Sequence, residues 1–481
     1  MRIRVAKFDS KFFKLCIVLA AFSVFLIFFR PITLSIDRAI LSVTIFWIGL
    51  YPVMRAISVP SSEREPLPFR AYVGLFYAVF FGLSAFLDGV LRSNIYGRNS
   101  EKSVQFFGDV YVTEINIKAQ IISIVGIFFL FFCWNISRTP LTKMLPRFTF
   151  PTKYSQTSLH ILIWCLIIAH LLFVHIPYIK SIPSIGQFLQ PSGYVGLAFM
   201  LHMAYSGNLP KWQKYIYFFI ALPLWFHGLF FLNSLVLLLT PLVLAFGLWV
   251  GIHYFHRGAI PWRVITVFGV LFLGIYSTKN LYVMWANHPL ASLETKVKFI
   301  GSMLRSSNPS QTPSLEGLYR RSGLIYTLSY VVEKTPSKIP HWEGVTLKPI
   351  LTSWVPRILW PGKQQEKLGY EFGVRYSLIQ KTDTEMSYNL PWLTELYVNF
   401  GAIGVILGMS VIGLFLSALE TIFISRSQSY PEVAIGSAII LPLCFQEQNI
   451  SVMIGSIVPL ALSLWLYFTV GFLIFKKVLK F

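Results

Sequence analysis

The chain has 481 residues, 55% of them hydrophobic and only 13% charged, with a mean hydropathy of +0.62. That much apolar surface is more than a water-soluble core can bury, which excludes a soluble globular protein and predicts an all-α polytopic membrane protein. The formal net charge of +21 sits at the ends of apolar runs rather than in a basic stripe, so the expected partner is the lipid bilayer and no nucleic acid.

In chain order, apolar runs of roughly 17 to 25 residues, each long enough to cross about 30 Å of hydrocarbon as a helix, predict about 12 transmembrane helices. They fall near 14–30, 39–54, 71–91, 119–137, 158–176, 190–205, 215–232, 234–254, 264–280, 396–418, 433–446 and 452–475. Arg2, Arg4, Lys7, Lys11 and Lys14 precede the first run, and no small-residue cleavage site follows before Arg30, so this run is read as a retained span. The predicted organisation is therefore helices 1 to 9 in residues 1–280, one large extracytoplasmic loop in 281–395, and helices 10 to 12 in 396–481.

Lys and Arg concentrate in alternate connections: the N-terminus, Arg55 to Arg70, Arg138 to Lys153, Lys211 and Lys214, Arg257 and Arg263, Arg426, and the C-terminus. The positive-inside rule then places both termini in the cytoplasm and the long loop outside. Cys16, Cys133, Cys165 and Cys444 all lie in apolar runs, so the loop has no internal disulfide and no thiolate metal site.

Within the loop, residues 313–334 read as a helix that is apolar on two faces and hence buried, with Arg320 and Arg321 on it. Such guanidinium groups need a partner; either Glu316, four residues before Arg320, supplies it, or an anion from outside does. Pro349, Pro356 and Pro361 then interrupt the chain, which predicts a rigid, largely non-helical segment presenting Arg357 and Lys363 beside Trp354 and Trp360. Cations at fixed separation suit a diphosphate, and indole faces suit either the membrane interface or a sugar ring. Arg375 is a further basic candidate, and His341 is a reserve base. Glu395, where the loop enters the tenth span, is read either as a general base or as a helix-cap carboxylate. Asp383 and Glu385 read as an exposed turn, His253 and His256 as interface anchors, and Gly401, Gly404 and Gly408 as helix-packing positions. No metal site and no cofactor motif is expected.

The two-arginine helix, the run Val355-Pro356-Arg357-Ile358-Leu359-Trp360-Pro361-Gly362-Lys363, and the run Glu395-Leu396-Tyr397-Val398-Asn399-Phe400-Gly401 precede the last three spans. Over residues 315–405 this pattern resembles the Wzy-type oligosaccharide repeat-unit polymerases of bacterial surface polysaccharides, which include the O-antigen and exopolysaccharide polymerases. One departure is Gln364, where the family pattern has proline.

The resemblance implies a membrane-embedded C-type glycosyltransferase architecture in the bacterial cytoplasmic (inner) membrane. It implies polymerisation of undecaprenyl-diphosphate-linked oligosaccharide at the outer face without a cofactor, with a chain-length regulator and a flippase as partners. The catalytic candidates are Glu395, Arg357 and Arg321; the candidates for binding diphosphate or glycan are Arg320, Lys363, Arg375 and Trp360. Two alternatives remain open at this point: an O-antigen-ligase-like glycan transferase with the same cation chemistry, and a polytopic lipid-linked glycan flippase or transporter.

Overall fold

The computed structural model describes residues 35–59, Glu65, 67–87, 104–106, 110–112, 115–146, 155–182, 185–232, 323–355, 359–363, 366–384, 387–425, 430–478 and a few single positions. The spans predicted at 14–30, 234–254 and 264–280 lie outside these residues but for a few single positions, as do His253, His256, Arg320, Arg321, Arg357 and Glu385.

The helices in chain order are α1 (Ile36–Ser58), α2 (Phe69–Leu87), α3 (Ile117–Met144), α4 (Gln156–His175), α5 (Ile185–Ser206) and α6 (211–232). They continue with α7 (Leu324–Lys334), α8 (Ile350–Ser353), α9 (Leu368–Arg375), α10 (Trp392–Phe423), α11 (Tyr430–Ile440), α12 (Ile450–Gly455) and α13 (Ile457–Val478). Among the described residues, six segments are long and apolar enough to cross a membrane: Ile36–Ala56, Phe69–Leu87, Ile117–Met144, Gln156–His175, Trp392–Phe423 and Ile450–Phe475. The protein is thus a helical membrane protein. The departure from helix among the described residues is a short antiparallel hairpin, β1 (Val104–Phe106) with β2 (Val110–Val112), in the register Val104↔Val112. Three residues per strand are too few for an alternation to register in the sequence.

The chain divides into two units, residues 1–149 with 322–462, and 150–321 with 463–481. In the first, helix starts are set by local caps: Ser35 Oγ accepts from Arg38 N–H, and Asn116 Oδ1 from Lys118 N–H. In lipid there is no hydrophobic drive between helices, so close backbone approach must supply the packing. Glycines provide it. A Cβ on Gly49 would lie 2.7 Å from Gly74 O on α2, and one on Gly413 of α10 would lie 2.3 Å from Leu130 O on α3. The π-helical stretch Ala78–Leu83 of α2 carries Gly82, which faces the backbone of Phe46 on α1 in the same way.

At the far end of α10 the first unit encloses an ionic network. Glu420, 1% exposed, accepts on Oε2 from Arg70 Nε (3.2 Å), Arg70 Nη2 (3.0 Å) and Trp134 Nε1 (3.0 Å). The Arg70 guanidinium also lies 5.5 Å from the Trp134 ring centroid, and Arg138 pairs with Glu65. Burial, with the Glu420 carboxylate acting in the same direction, pushes the Glu65 carboxyl up to about 7 against the opposing pull of Arg138 and Arg70. A carboxyl whose folded value exceeds its unfolded one holds more protons when folded. Its stabilisation is therefore complete below the unfolded value and is lost as pH rises through about 7. Wild-type protein in detergent is expected to melt lower at pH 8 than at pH 5.5. Glu65→Gln, which mimics the protonated form, is expected to flatten that difference and to melt higher than wild type at pH 8. Equal pH dependence in the two proteins refutes the assignment.

In the second unit α4 and α5 pack around His170, whose Nδ1 bonds Leu189 O (3.0 Å) and whose Nε2 accepts from Trp225 Nε1 (3.1 Å). Both ring nitrogens are satisfied. The outer part of α13 joins this unit through Tyr467, which donates to Leu162 O at 2.6 Å.

Candidate functional site

The long apolar run that becomes α10 is not one straight helix. Gly401 has φ 65° and ψ −154°, a region open essentially to glycine alone, and the chain folds back there. A Cβ on Gly408 would lie 2.4 Å from Leu396 Cδ2, although in a straight helix positions that far apart are about 18 Å distant. The expectation that Gly401, Gly404 and Gly408 permit close helix packing is corrected at Gly401 alone. Gly401 is the break, while Gly404 and Gly408 receive Phe400 and Leu396 from the segment before it. The remainder, 402–423, still spans about 33 Å and so crosses a bilayer unaided.

A break releases carbonyls that the next turn would have used, and buried backbone groups must find partners elsewhere. The loop at 341–347 supplies them. Trp342 N–H donates to Val398 O (3.0 Å), Glu343 N–H to Asn399 O (3.2 Å) and Gly344 N–H to Asn399 Oδ1 (2.9 Å). Asn399 Nδ2 donates in turn to Thr346 Oγ1 (2.7 Å) and Glu395 O (2.8 Å). His341 lies over the break, with Nδ1 at 3.3 Å from Val398 O and its ring where a Gly401 side chain would begin. Gly401→Ala is therefore expected to cost about 1–3 kcal/mol through backbone strain alone. A melting temperature equal to wild type would show that the fold-back is not required.

Glu395 stands just before this break and is wholly buried. Its Oε2 accepts from Ile450 N–H at 2.7 Å, the first amide of α12, where the preceding Asn449 makes no side-chain cap. The carboxylate therefore caps the start of another helix rather than its own, which revises the helix-cap reading. Trp392 N–H donates to Gln446 O (3.3 Å), and Tyr77 OH donates to Gln446 Oε1. Two interrupted helical segments, α10 and the run from α11 to α12, thus meet through polar groups. Glu395 Oε1, Gln446 Nε2 and Thr394 Oγ1 are buried there with no hydrogen-bond partner among the described residues. Glu366 accepts from Ser451 (2.8 Å) on α12, and Glu447 accepts from Asn389.

Of the predicted cations, Lys363 and Arg375 are among the described residues. Lys363 Nζ donates to Ser353 O (3.1 Å) and Val355 O (3.2 Å), tying the turn at 360–363 to the end of α8. That loop rests on α12, because Ser353 occupies the space a Gly455 side chain would need. An ammonium has three donors, so Lys363 keeps one. Trp360 is exposed in the turn that ends at Lys363. Arg375 lies 5.1 Å over the Trp342 ring and donates to Pro340 O (2.9 Å). Glu395, Lys363 and Arg375 are therefore linked through α12 and Trp342, whereas Arg357, Arg320 and Arg321 fall outside the described residues.

The described part of the predicted two-faced helix is α7, with Leu324, Ile325, Tyr326, Leu328, Val331 and Val332 all buried. Burial raises the phenols of Tyr330, Tyr376 and Tyr388, the last to about 12, so these three serve as neutral donors near neutrality. Asn399, Thr346 and Gln446 were not among the expected site residues. The polar run Gln446-Glu447-Gln448-Asn449 between two apolar stretches was the available signal for the second interruption.

A family model described as a domain of unknown function (DUF8712) matches residues 141–480, more than two thirds of the chain. No curated protein and no solved structure matches it.

Proposed function

Because the chain belongs to the DUF8712 family, to which no activity is attached, its function must be argued from the site, and we propose that it is a glycosyltransferase that polymerises lipid-linked repeat units. The observation that carries this reading is the wholly buried Glu395, whose Oε1 lacks a close hydrogen-bond partner among the described residues, where two interrupted helices meet and where the helix it caps, α12, packs against Ser353, whose carbonyl Lys363 holds. In the proposed reaction a hydroxyl of one undecaprenyl-diphosphate-linked oligosaccharide attacks the anomeric carbon of another. The bond from that carbon to the diphosphate oxygen breaks, and the hydroxyl proton passes to the Glu395 carboxylate. The lipid diphosphate leaves with the bonding pair. Its growing charge is stabilised by Lys363 and Arg375, together with Arg357, Arg320 and Arg321. Trp360 offers an exposed ring to the glycan.

The reading includes about twelve spans, an outward loop 281–395, cytoplasmic termini and a place in the bacterial cytoplasmic membrane. Its basis is the distribution of Lys and Arg and the likeness of residues 315–405 to repeat-unit polymerases. A ligase would share this chemistry but would require a different acceptor. A flippase is the second reading, favoured by the discontinuous helices, which transporters also use at their binding sites. Purified protein mixed with lipid-linked repeat unit in detergent decides among them. Polymer is expected without any transport step; unchanged repeat unit overturns the proposal. Arg357→Ala is the matching variant, and polymer of normal length from it removes that residue from the site.

A further inference from the structure

An unusual surface lies on the loop itself. Leu351 and Leu359 are 78% and 76% exposed, Trp354 and Trp360 about half exposed, and α8, which begins just before Leu351, has no buried residue. The indole N–H of Trp354 is already bonded to Leu351 O at 2.8 Å, so that ring presents apolar surface without an unmet donor. Four such side chains within ten positions do not face water without a partner.

The neighbouring helices identify the partner. Ser353 is seated on Gly455 of α12, whose Val452 is exposed, and the same outward character continues in Val458 and Leu462 of α13. On α10, Ile403, Leu407, Val411 and Leu414 form an exposed apolar row, and Phe400 above them touches Gly344 beside the exposed Val345. In a membrane protein these rows face the acyl chains, and both reach the loop. We propose that the surface formed by Leu351, Trp354 and Leu359 rests in the interfacial layer of the lipid bilayer as an anchor for the outer loop, with Trp360, the glycan candidate, at its edge. Tryptophan with lysine is the composition that layer favours, and Lys348 and Lys363 border the patch. The docking requires only that the helices span a bilayer, not that the protein be a polymerase. Under the polymerase reading it also sets the loop cations at the height of lipid phosphates.

The test uses the full chain with its native cysteines replaced by serine, reconstituted in phosphatidylcholine–phosphatidylglycerol vesicles. An environment-sensitive fluorophore is placed by Leu351→Cys, by Leu359→Cys and, as a control, by Lys381→Cys on an exposed turn. Emission at the first two positions is expected to be blue-shifted and quenched several-fold more by lipids brominated near the carbonyl end than at the control. Water-like emission with quenching by aqueous iodide at both positions overturns the proposal. So does a blue shift that brominated lipid leaves untouched and that disappears on dilution with unlabelled protein, since the surface would then meet a second copy of the chain. Neither outcome depends on polymer synthesis, so failure here and failure of the proposed activity are separate results.

Discussion

Arg70→Ala is expected to destabilise the protein by about 3–5 kcal/mol, the range for removing one partner of a buried ion pair. The size follows from what would be left behind. Glu420 Oε2 takes two bonds from Arg70 and one from Trp134, at 3.0 to 3.2 Å. Without the guanidinium, a carboxylate 1% exposed would remain beside the carboxyl of Glu65. Thermal unfolding in detergent is the measurement. Arg70→Lys keeps the charge but loses the planar fork and should fall between the two. Arg70→Ala combined with Glu420→Gln should recover much of the loss, because the stranded charge is gone. If the single alanine variant melts with wild type, the network is not structural.

The second large effect concerns Glu395. Glu395→Gln keeps an oxygen to accept from Ile450 N–H, so α12 stays capped and the fold should persist. A carboxamide cannot take a proton, however, and loss of a general base typically slows a reaction by about 10²–10⁴. Polymer length in cells, read beside the amount of protein in the membrane, is expected to collapse to single repeat units at normal protein level. Full-length polymer from Glu395→Gln would exclude the residue from the chemistry. Glu395→Ala is a poorer probe, since it removes the cap as well and confounds activity with stability.

The membrane helices were legible because lipid imposes a long apolar run on any spanning segment, and α1 to α4 lie where hydropathy places them. The absence of a long helix among the described residues of 347–367 was legible for a similar local reason: proline's fixed geometry acts on its immediate neighbours. Pairing was not. Arg70 and Glu420 are separated by 350 positions, and nothing local in either stretch names the other. The Gly401 break was hidden because Leu396, Tyr397, Val398 and Phe400 continue the apolar run up to it, so hydropathy sees one span where there are a short segment and a longer one. Lys363 illustrates another limit. Its charge suggested an anion, yet two of its donors are committed to carbonyls of its own loop, a geometry that exists only once the prolines have turned the chain.

The fold-back in α10 has a structural corollary. Held by Arg70 near one extremity, this helix changes direction at Gly401 near the other. The short part before Gly401 is tied by hydrogen bonds to the loop at 341–347, and the long part after it by close backbone packing to α3, so one glycine joins a portion fixed by polar bonds to a portion fixed by shape.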